Sequence, residues 1–394
     1  MKRILSVRCL ALAAVLAALL CLTLTAQAEK AQEITTEVGH AGIQDKNFAR
    51  MCDNKFTTSY QFQANRSVTL TYEGGISGIT LEHLNKPVLM QVEAQGADGT
   101  WQVVATTQGY ITEWVAVPEG TTAIRLSSVK RGSRPRLSEI HVYGPGDKPD
   151  EAPEWQLAEK ADLMVIVAHP DDELLWFGGM LPTYAAERGY TVQVVYATAN
   201  AERKLELLHG LWTCGVHYYP TFYELVDEKL KSTTAMYNLW GKTKFRKLIV
   251  ESIRKYKPEV VATHDFNGEY GHNAHKITAE SVAACMEMTA DATQFKTSAE
   301  TYGTWEVKKL YVHLWSENQI HLDWTVPLTA FDGETGISVA TRALAWHKSQ
   351  TESKRAWSMD RAKDYDNGLF GLYYTTVGPD EAGDDLFEHI TAAE

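Results

Sequence analysis

Cysteine is scarce in this sequence of 394 residues, which contains five cysteines in all. Cys52, Cys214 and Cys285 are the three that lie beyond the first 28 residues. So few cysteines, in an odd number, do not form a disulfide framework, and their spacing is not that of metal ligands. A single disulfide stays open as an alternative, because the sequence does not select a pair.

Basic residues are also in short supply. The chain has 38 Lys and Arg against 50 Asp and Glu, a formal net charge of −12. This excess of acid argues against nucleic acid or anionic lipid as the main partner. The hydrophobic content of 44% is typical of a globular protein, and the length predicts two domains.

An apolar run long enough to suggest targeting occurs at the N-terminus. Three basic residues within the first eight positions precede the run Leu10–Leu24, which is followed by Ala26-Gln27-Ala28. This order is typical of a secretory signal, so we predict a signal peptide at residues 1–28 and a secreted or cell-surface, extracytoplasmic protein. An uncleaved anchor is the alternative, although the run is short for a membrane span of about 20 residues.

Residues 33–146 show short runs of alternating polarity separated by glycine and polar turns. This spacing predicts an all-β sandwich domain. The predicted strands are Val68–Tyr72, Gly78–Leu81, Val88–Val92, Trp101–Ala105, Ala123–Leu126 and Glu139–Tyr143.

A proline-, glycine- and charge-rich linker is predicted at residues 147–158, and strand and helix patterns alternate over residues 159–394. The alternation predicts an α/β domain with a Rossmann-like, mostly parallel sheet. No Gly-x-Gly-x-x-Gly follows its first strand, so a nucleotide cofactor is not indicated. Predicted strands are Leu163–Val167, Thr191–Ala197 and Glu259–Thr263, with helices from about Glu173, from about Ala201 and over Lys242–Lys257.

The first strand of this domain ends in a cluster of ionisable residues: His169, Asp171, Asp172 and Glu173. Ligands bind beyond the carboxyl ends of strands in open α/β sheets. Clustered carboxylates repel one another unless a cation or proton is shared among them. The cluster therefore predicts a divalent metal ion.

A second polar cluster follows the predicted strand Glu259–Thr263. It begins at His264 and continues to His272 and His275, where a helical pattern starts. Taken alone, these histidines would more often be ordinary helix-start residues. Together with the first cluster, a His/Asp/His set fits zinc, which accepts nitrogen and carboxylate oxygen, although another divalent metal would also fit.

At these residues the chain resembles the PIG-L/LmbE family of metal-dependent N-acetyl-sugar deacetylases. The resemblance rests on Ala168-His169-Pro170-Asp171-Asp172-Glu173 and on the looser Gly271-His272-Asn273-Ala274-His275, and covers roughly residues 160–390. Supporting matches are Arg203, Glu206, Asp227, His347-Lys348-Ser349-Gln350 and residues 370–378.

The resemblance implies a role for each matching residue. His169, Asp172 and His275 would be the metal ligands, and Asp171 the general base that deprotonates metal-bound water. His272 would stabilise the oxyanion or protonate the leaving amine. Arg203 and Asp227 would bind substrate, with solvated surface charges as the alternative interpretation. We expect Glu173 to begin the next helix, where a negative charge suits the helix dipole.

One position departs from the family pattern. The family has an acid immediately before the last metal-binding histidine, thought to orient the other histidine, and this sequence has Ala274 there. Either another carboxylate holds His272, with Glu269 and Asp265 close in sequence, or the role of His272 is weakened.

The N-terminal region resembles discoidin or coagulation-factor C-type, galactose-binding-like modules. The resemblance rests on Cys52–Thr58, on the Asp98-Gly99-Thr100-Trp101 turn and on the closing Leu137–Gly144. It implies binding to a glycan or cell-surface ligand, with a structural spacer as the alternative.

Together these patterns predict a secreted, zinc-dependent deacetylase that hydrolyses the N-acetyl group of an N-acetylglucosamine-type sugar or glycoconjugate. One alternative is a carbohydrate-binding protein with a degenerate catalytic domain. The other is a metal hydrolase of another amide or ester.

Overall fold

The computed structural model describes residues 29–352 and 357–390. The predicted signal peptide lies outside the described residues. Within the described ranges, none of the helices combines the length and the apolar character that a membrane span requires. Cys52, Cys214 and Cys285 are free thiols.

The N-terminal region is a sandwich of two antiparallel sheets, as the alternating pattern predicted. One sheet has the order β1-β3-β8-β5-β6 and the other β2-β9-β4-β7. Ile79 and Leu81 of β4 point into the core between the sheets, so Thr80 and Glu82 occupy the opposite face. The strands are Gly39–Ala41 (β1), Tyr60–Gln61 (β2), Val68–Thr71 (β3), Gly78–His83 (β4), Met90–Gln95 (β5), Trp101–Thr106 (β6), Thr112–Ala116 (β7), Ala123–Ser128 (β8) and Arg136–Tyr143 (β9).

The C-terminal region is built on a seven-stranded mixed sheet of order β12-β11-β10-β13-β14-β16-β15, in which β12 through β14 are parallel. Alternate residues of β10 enter two apolar clusters, one on each face of the sheet. The predicted fold class is thus confirmed. The strands are Leu163–Val167 (β10), Val192–Tyr196 (β11), Thr221–Phe222 (β12), Val260–Thr263 (β13), Lys309–His313 (β14), Gln319–His321 (β15) and Leu369–Thr375 (β16).

Helices cover both faces of this sheet. The α-helices are Asp45–Phe48 (α1, in the sandwich), Asp172–Leu175 (α2), Ala201–Thr213 (α3), Thr233–Trp240 (α4), Lys242–Tyr256 (α5), Asn273–Ala290 (α6), Lys296–Tyr302 (α7), Gly336–Leu344 (α8), Lys348–Thr351 (α9) and Met359–Ala362 (α10). A π-helical segment spans Pro182–Glu187, and 3₁₀ turns span Ala49–Met51, Thr329–Phe331 and Lys363–Tyr365.

The helix predicted from about Glu173 is much shorter than the others. It starts at Asp172 and ends at Leu175, and the chain then turns through Gly178, whose φ is +53°. A β-carbon on Gly179 would lie 2.8 Å from the backbone carbon of Gly336, so this close approach requires glycine. The bend brings α8 against the site-bearing part of the domain.

The two regions pack directly against each other. The Trp155 indole donates a hydrogen bond to Thr112 Oγ1 at 2.9 Å, and the Ile111 amide donates to Tyr219 Oη at 3.1 Å. Ala152 and Trp155, in the segment predicted as a linker, are buried. This packing fixes the outer face of the β2-β9-β4-β7 sheet against the α/β region.

Candidate active site

The two polar clusters lie side by side at the carboxyl ends of β10 and β13. These parallel strands are neighbours, with Ile166 opposite Thr263. From β10 the chain proceeds outward to β11 and β12 on one side, and then returns to β13 and β14 on the other. The clusters therefore occupy a topological switch point, where open α/β sheets form their ligand crevice.

Three side chains bring ligand atoms to a common point. His169 Nδ1 lies 3.2 Å from Asp172 Oδ2 and 3.2 Å from His275 Nε2. His275 Nε2 lies 3.4 Å from Asp172 Oδ1. Ligand atoms bound at about 2.1 Å to a tetrahedral zinc ion are separated by about 3.4 Å. The three distances are close to this value, although the two histidines approach different oxygens of Asp172.

Two further histidines, His264 and His272, lie close enough to these atoms to be alternative ligands, and His275 is common to both possible groups. His169, His272 and His275 form one group of suitably spaced ligand atoms, and Asp172, His264 and His275 form another. The lone pair of His264 Nε2 already accepts the Ala168 amide at 3.0 Å. His264 is therefore better placed as a support for the site than as a ligand.

Glu269 is a buried carboxylate that hydrogen-bonds the Nδ1 atoms of three histidines at the site. Its Oε2 accepts His275 Nδ1 at 2.6 Å, which leaves the Nε2 lone pair of His275 facing Asp172 and His169. Its Oε1 lies 3.1 Å from the Nδ1 atoms of both His264 and His313. Burial would raise the pKa of Glu269, but His264 and His275 hold it well below its ordinary value. A carboxylate that fixes the tautomer of a metal-binding histidine is a common support of metal sites.

Asp171 lies beside the three converging side chains and is held in an unusual backbone conformation. Its φ is 95°, in the left-handed region, and its amide donates to Glu173 Oε2 at 3.0 Å. Its Oδ1 accepts from Arg203 Nη2 at 2.9 Å. Burial raises the pKa of Asp171 to about 7, against the lowering effect of Arg203. A carboxyl with this pKa is suited to proton transfer near neutrality.

The pKa of Asp172 is shifted in the opposite direction. Burial alone would raise its pKa, but His275, His264 and His169 hold it well below the ordinary value. The adjacent acids are thus divided between an ionised carboxylate among histidines and a carboxyl that can exchange a proton.

Glu173 lies in the first turn of helix α2, one residue after its start at Asp172. It is fully buried, and burial followed by the nearby charge of Asp171 raises its pKa to about 8. Its structural role is the hydrogen bond that it accepts from the Asp171 amide. The predicted position at the start of the helix is confirmed, whereas burial disfavours the negative charge that the helix-dipole interpretation assumed.

Arg203 and Asp227 both reach the site. Arg203 Nη1 lies 3.6 Å from Asp227 Oδ2, and Asp227 Oδ1 lies 3.6 Å from His169 Nε2. Arg203 is buried and also donates to the Pro170 carbonyl, whereas the Asp227 side chain is half exposed. The solvated-surface interpretation is therefore wrong for Arg203, and Asp227 faces the cavity.

His272 lacks the carboxylate that the sequence analysis considered for it. Glu269 contacts His264, His275 and His313 instead, and Asp265 Oδ1 accepts from Asn267. His272 Nδ1 is buried without a hydrogen-bond partner. Burial, with the nearby His169 and His275, lowers the pKa of His272 to about 3, so the ring is neutral.

A cavity of about 190 Å³ opens above these groups. Besides the predicted residues, its walls include Leu175, Trp176, Tyr270, Gln350 and Trp357. Trp357 lies 5.0 Å from Trp176 and 4.8 Å from Tyr270 between ring centroids. Aromatic content alone did not single out these residues, because most large aromatics are core.

Comparison with known proteins places a family model on this part of the chain. Residues 164–286 match the model described as "PIG-L: GlcNAc-PI de-N-acetylase". These residues include all the side chains that converge at the two strand ends.

One curated relative is the 1D-myo-inositol 2-acetamido-2-deoxy-alpha-D-glucopyranoside deacetylase 1 of Catenulispora acidiphila. It is 28% identical over 180 residues, which is 38% of this chain and 54% of the relative. The first relatives of this kind are matched over 54 to 65% of their length, so the chain spans little more than half of each.

Two solved structures illustrate the likeness of each region. The N,N'-diacetylchitobiose deacetylase of Pyrococcus horikoshii is 16% identical, with a TM-score of 0.38, over 52% of this chain and 74% of that one. An F5/8 type C domain from Bacteroides fragilis is 9% identical, with a TM-score of 0.25, over 30% of this chain and 97% of that one. The PIG-L match thus covers residues 164–286 of the α/β region, which carry His169, Asp171, Asp172, Arg203, Asp227, His272 and His275 of the site described above.

Proposed function

We propose that this protein is a zinc-dependent, extracytoplasmic deacetylase that hydrolyses the N-acetyl group of an N-acetylglucosamine-type sugar or glycoconjugate. The observation that carries the proposal is the convergence of His169 Nδ1, Asp172 and His275 Nε2 within 3.2–3.4 Å, with the Asp171 carboxyl beside them. The family model and the relatives named as sugar deacetylases support the reaction class.

His169, Asp172 and His275 would hold the metal ion, because their lone pairs are the ones that converge. A bound divalent metal supplies a Lewis acid that polarises a carbonyl and lowers the pKa of water. Asp171 accepts a proton from the attacking water, and Arg203 keeps this carboxyl oriented. General-base assistance of this kind is worth about 10²–10⁴-fold in rate.

His272 faces the same cavity as a neutral imidazole. In that state it donates a hydrogen bond to the oxyanion that forms from the acetamide carbonyl, as preorganised donors do in acyl transfer. Arg203 and Asp227 offer polar contacts to sugar hydroxyls, and Trp357, Tyr270 and Trp176 provide apolar ring surfaces.

The test is release of acetate from N-acetylated glucosaminides by the purified protein with added zinc. We expect acetate release by the wild type and its near-complete loss in Asp171→Asn. Asp162→Asn is a matched control, since Asp162 accepts the Thr191 amide at the opposite end of β10. Full metal occupancy without acetate release from any N-acetylated sugar would contradict the proposal.

A binding protein with a degenerate catalytic domain is the second candidate, and the observation that favours it is the unpartnered His272 next to Ala274. A metal hydrolase of another amide or ester is distinguished by comparing the rates of acetate release from N-acetyl and O-acetyl sugars.

We also propose that the sandwich binds a glycan or another cell-surface ligand. Binding of purified glycans to the full chain tests this proposal.

A further inference from the structure

A second cavity, of about 280 Å³, lies between the sandwich and the PIG-L region. One wall is the outer face of the β2-β9-β4-β7 sheet, and the other is formed by α3 and the turn before α9. Its lining includes Phe56, Glu82, Glu139, His209, Trp346 and Lys348. Its volume is slightly below that of pockets for drug-sized ligands, which suits a single sugar ring.

Glu82 is the central polar group of this cavity. It is fully buried, and its Oε1 accepts a hydrogen bond from His209 Nε2 at 2.8 Å. Its Oε2 is buried without a hydrogen-bond partner. A buried carboxylate oxygen with no donor is costly, so the arrangement indicates that a donor is supplied by a ligand.

The missing donor does not have the geometry of a metal ion. Both nearby imidazoles approach Oε1 of Glu82, His209 Nε2 at 2.8 Å and His141 Nε2 at 3.7 Å. Over residues 29–352 and 357–390, the groups of histidine and acid side chains spaced to share an ion both lie at the strand-end site. An organic donor is therefore indicated in this cavity.

The charge of the cavity favours a cationic donor. Glu33, Glu82, Glu139 and Glu151 line it, against one lysine, Lys348, and two histidines. Burial, with the nearby charge of Glu82, raises the pKa of Glu139 to about 8, so this carboxyl is largely protonated at pH 7. Burial would lower the pKa of His141, but Glu33 and Glu82 raise it to about 9, so the charges in the cavity are the anions Glu33, Glu82 and Glu151 against the cations His141 and Lys348. A water molecule would satisfy the free oxygen of Glu82 but would add no positive charge.

The aromatic walls favour a ring-shaped ligand. The His209 ring is sandwiched between Phe56, at 5.4 Å, and Trp346, at 4.4 Å between centroids, with nearly parallel planes. This three-ring stack places flat apolar surface next to the carboxylates. An apolar face beside acceptors of hydrogen bonds is the combination that a sugar carrying an ammonium group requires.

The same elements build both cavities. Helix α3 carries Arg203 at the catalytic cavity and His209 at the second cavity, about 9 Å further along the helix axis. Ser349 of α9 donates its amide and hydroxyl to Glu206 of α3, both at 2.6 Å. On either side of Ser349, Lys348 lines the second cavity and Gln350 the catalytic one.

From these observations we propose that the interdomain cavity is a second binding site, for an unacetylated amino sugar whose ammonium group donates to Glu82 Oε2. The identity of the sugar as the deacetylated unit of a substrate rests on the proposed function, whereas the binding does not. The cavity would let the protein hold a glycan through a unit that has already lost its acetyl group.

The experiment uses the full chain stripped of metal, with methyl glucosaminide as the ligand and methyl N-acetylglucosaminide as its matched control. Binding is followed by calorimetry and by tryptophan fluorescence. We expect the free amine to bind at least tenfold more tightly than the acetylated sugar. Glu82→Gln, which keeps the size of the side chain and its acceptor for His209, should weaken amine binding about tenfold.

Asp171→Asn separates this site from the catalytic one and should bind the amine as the wild type does. If Glu82→Gln does not fold, Trp346→Ala, which removes one wall of the cavity, should give the same loss. Amine binding that survives both changes at the second cavity, or that disappears in Asp171→Asn, would overturn the proposal. Equal binding of the two sugars would overturn it as well.

Acetate release distinguishes the two proposals. Glu82→Gln should release acetate from a simple N-acetylglucosaminide at the wild-type rate. If neither the wild type nor Glu82→Gln releases acetate, but amine binding still depends on Glu82, then the proposed function is wrong and the second binding site is supported.

Discussion

Two regions of this protein combine histidines with buried carboxylates, yet their geometry differs. At the strand ends, His169 Nδ1 lies 3.2 Å from His275 Nε2, and the two imidazoles lie 3.2 Å and 3.4 Å from different oxygens of Asp172. Between the domains, Glu82 Oε1 is 2.8 Å from His209 and 3.7 Å from His141, and its second oxygen has no partner. The same residue types thus give ligand atoms spaced for a shared ion in one place and an unpartnered carboxylate oxygen in the other.

The difference arises from the other contacts that each histidine makes, a hydrogen bond in one case and ring stacking in the other. Glu269 takes the Nδ1 hydrogen of His275 and so directs a lone pair into the strand-end site. His209 instead faces Glu82 with its Nε2 and stacks its ring between Phe56 and Trp346. Convergent lone pairs, more than the count of histidines and acids, define a metal site.

Asp172→Ala should have the largest effect on this contrast, because it removes one converging ligand and leaves His169 and His275 with no anion between them. We expect loss of stoichiometric metal, measured by plasma mass spectrometry after dialysis, and loss of acetate release. Glu82→Ala is the matched change in the other cluster and should keep its metal. Equal metal loss in Asp172→Ala and Glu82→Ala would contradict the assignment of metal binding to the strand-end site alone.

Asp171→Asn should retain metal and lose turnover by about 10²–10⁴-fold, since an amide cannot accept the proton. Steady-state rates of acetate release and metal content, measured on one preparation, check this. Turnover equal to that of the wild type would remove Asp171 from the mechanism.

Glu269→Gln should weaken metal binding by about 10–100-fold, the usual effect of losing a carboxylate behind a metal-binding histidine. Competition with a chelator of known affinity measures the change. Asp265→Asn is the control, because Asp265 bonds Asn267 rather than a histidine. Unchanged zinc affinity in Glu269→Gln would mean that the histidine lone pairs need no such support.

His209→Ala should have the smallest effect and should leave metal and acetate release unaltered. It deprives Glu82 Oε1 of its donor, so we expect a loss of about 1–3 kcal/mol in the free energy of unfolding of the packed domains. Urea unfolding followed by fluorescence measures it. A fall in metal content would show that the two clusters are coupled.

The fold and the meeting of the two polar clusters could be anticipated because the signals are local. An apolar run that ends in His169, Asp171 and Asp172 is visible along the chain, and so is the strand before His264. Adjacent parallel strands then bring their ends together. The roles assigned to these residues remain proposals.

Other features depend on long-range contacts. Glu269 contacts His264, His275 and His313, which belong to different elements. It lies, with a φ of 49°, in the loop between β13 and α6, where no hydrophobic periodicity could indicate its position. Strand Thr112–Ala116 was not predicted, because its Thr112 and Glu113 are polar but buried, which removes the alternating pattern. The second cavity exists only once both domains are packed.

The left-handed backbone of Asp171 has a consequence for how this chain evolves. A residue with a β-carbon is disfavoured by about 1–2 kcal/mol at such a φ, and this one also carries a buried carboxyl. Asp171→Gly would remove both the backbone strain and the buried carboxyl at once. If Asp171 is the general base proposed above, a more stable protein and an active one therefore require different residues at this position.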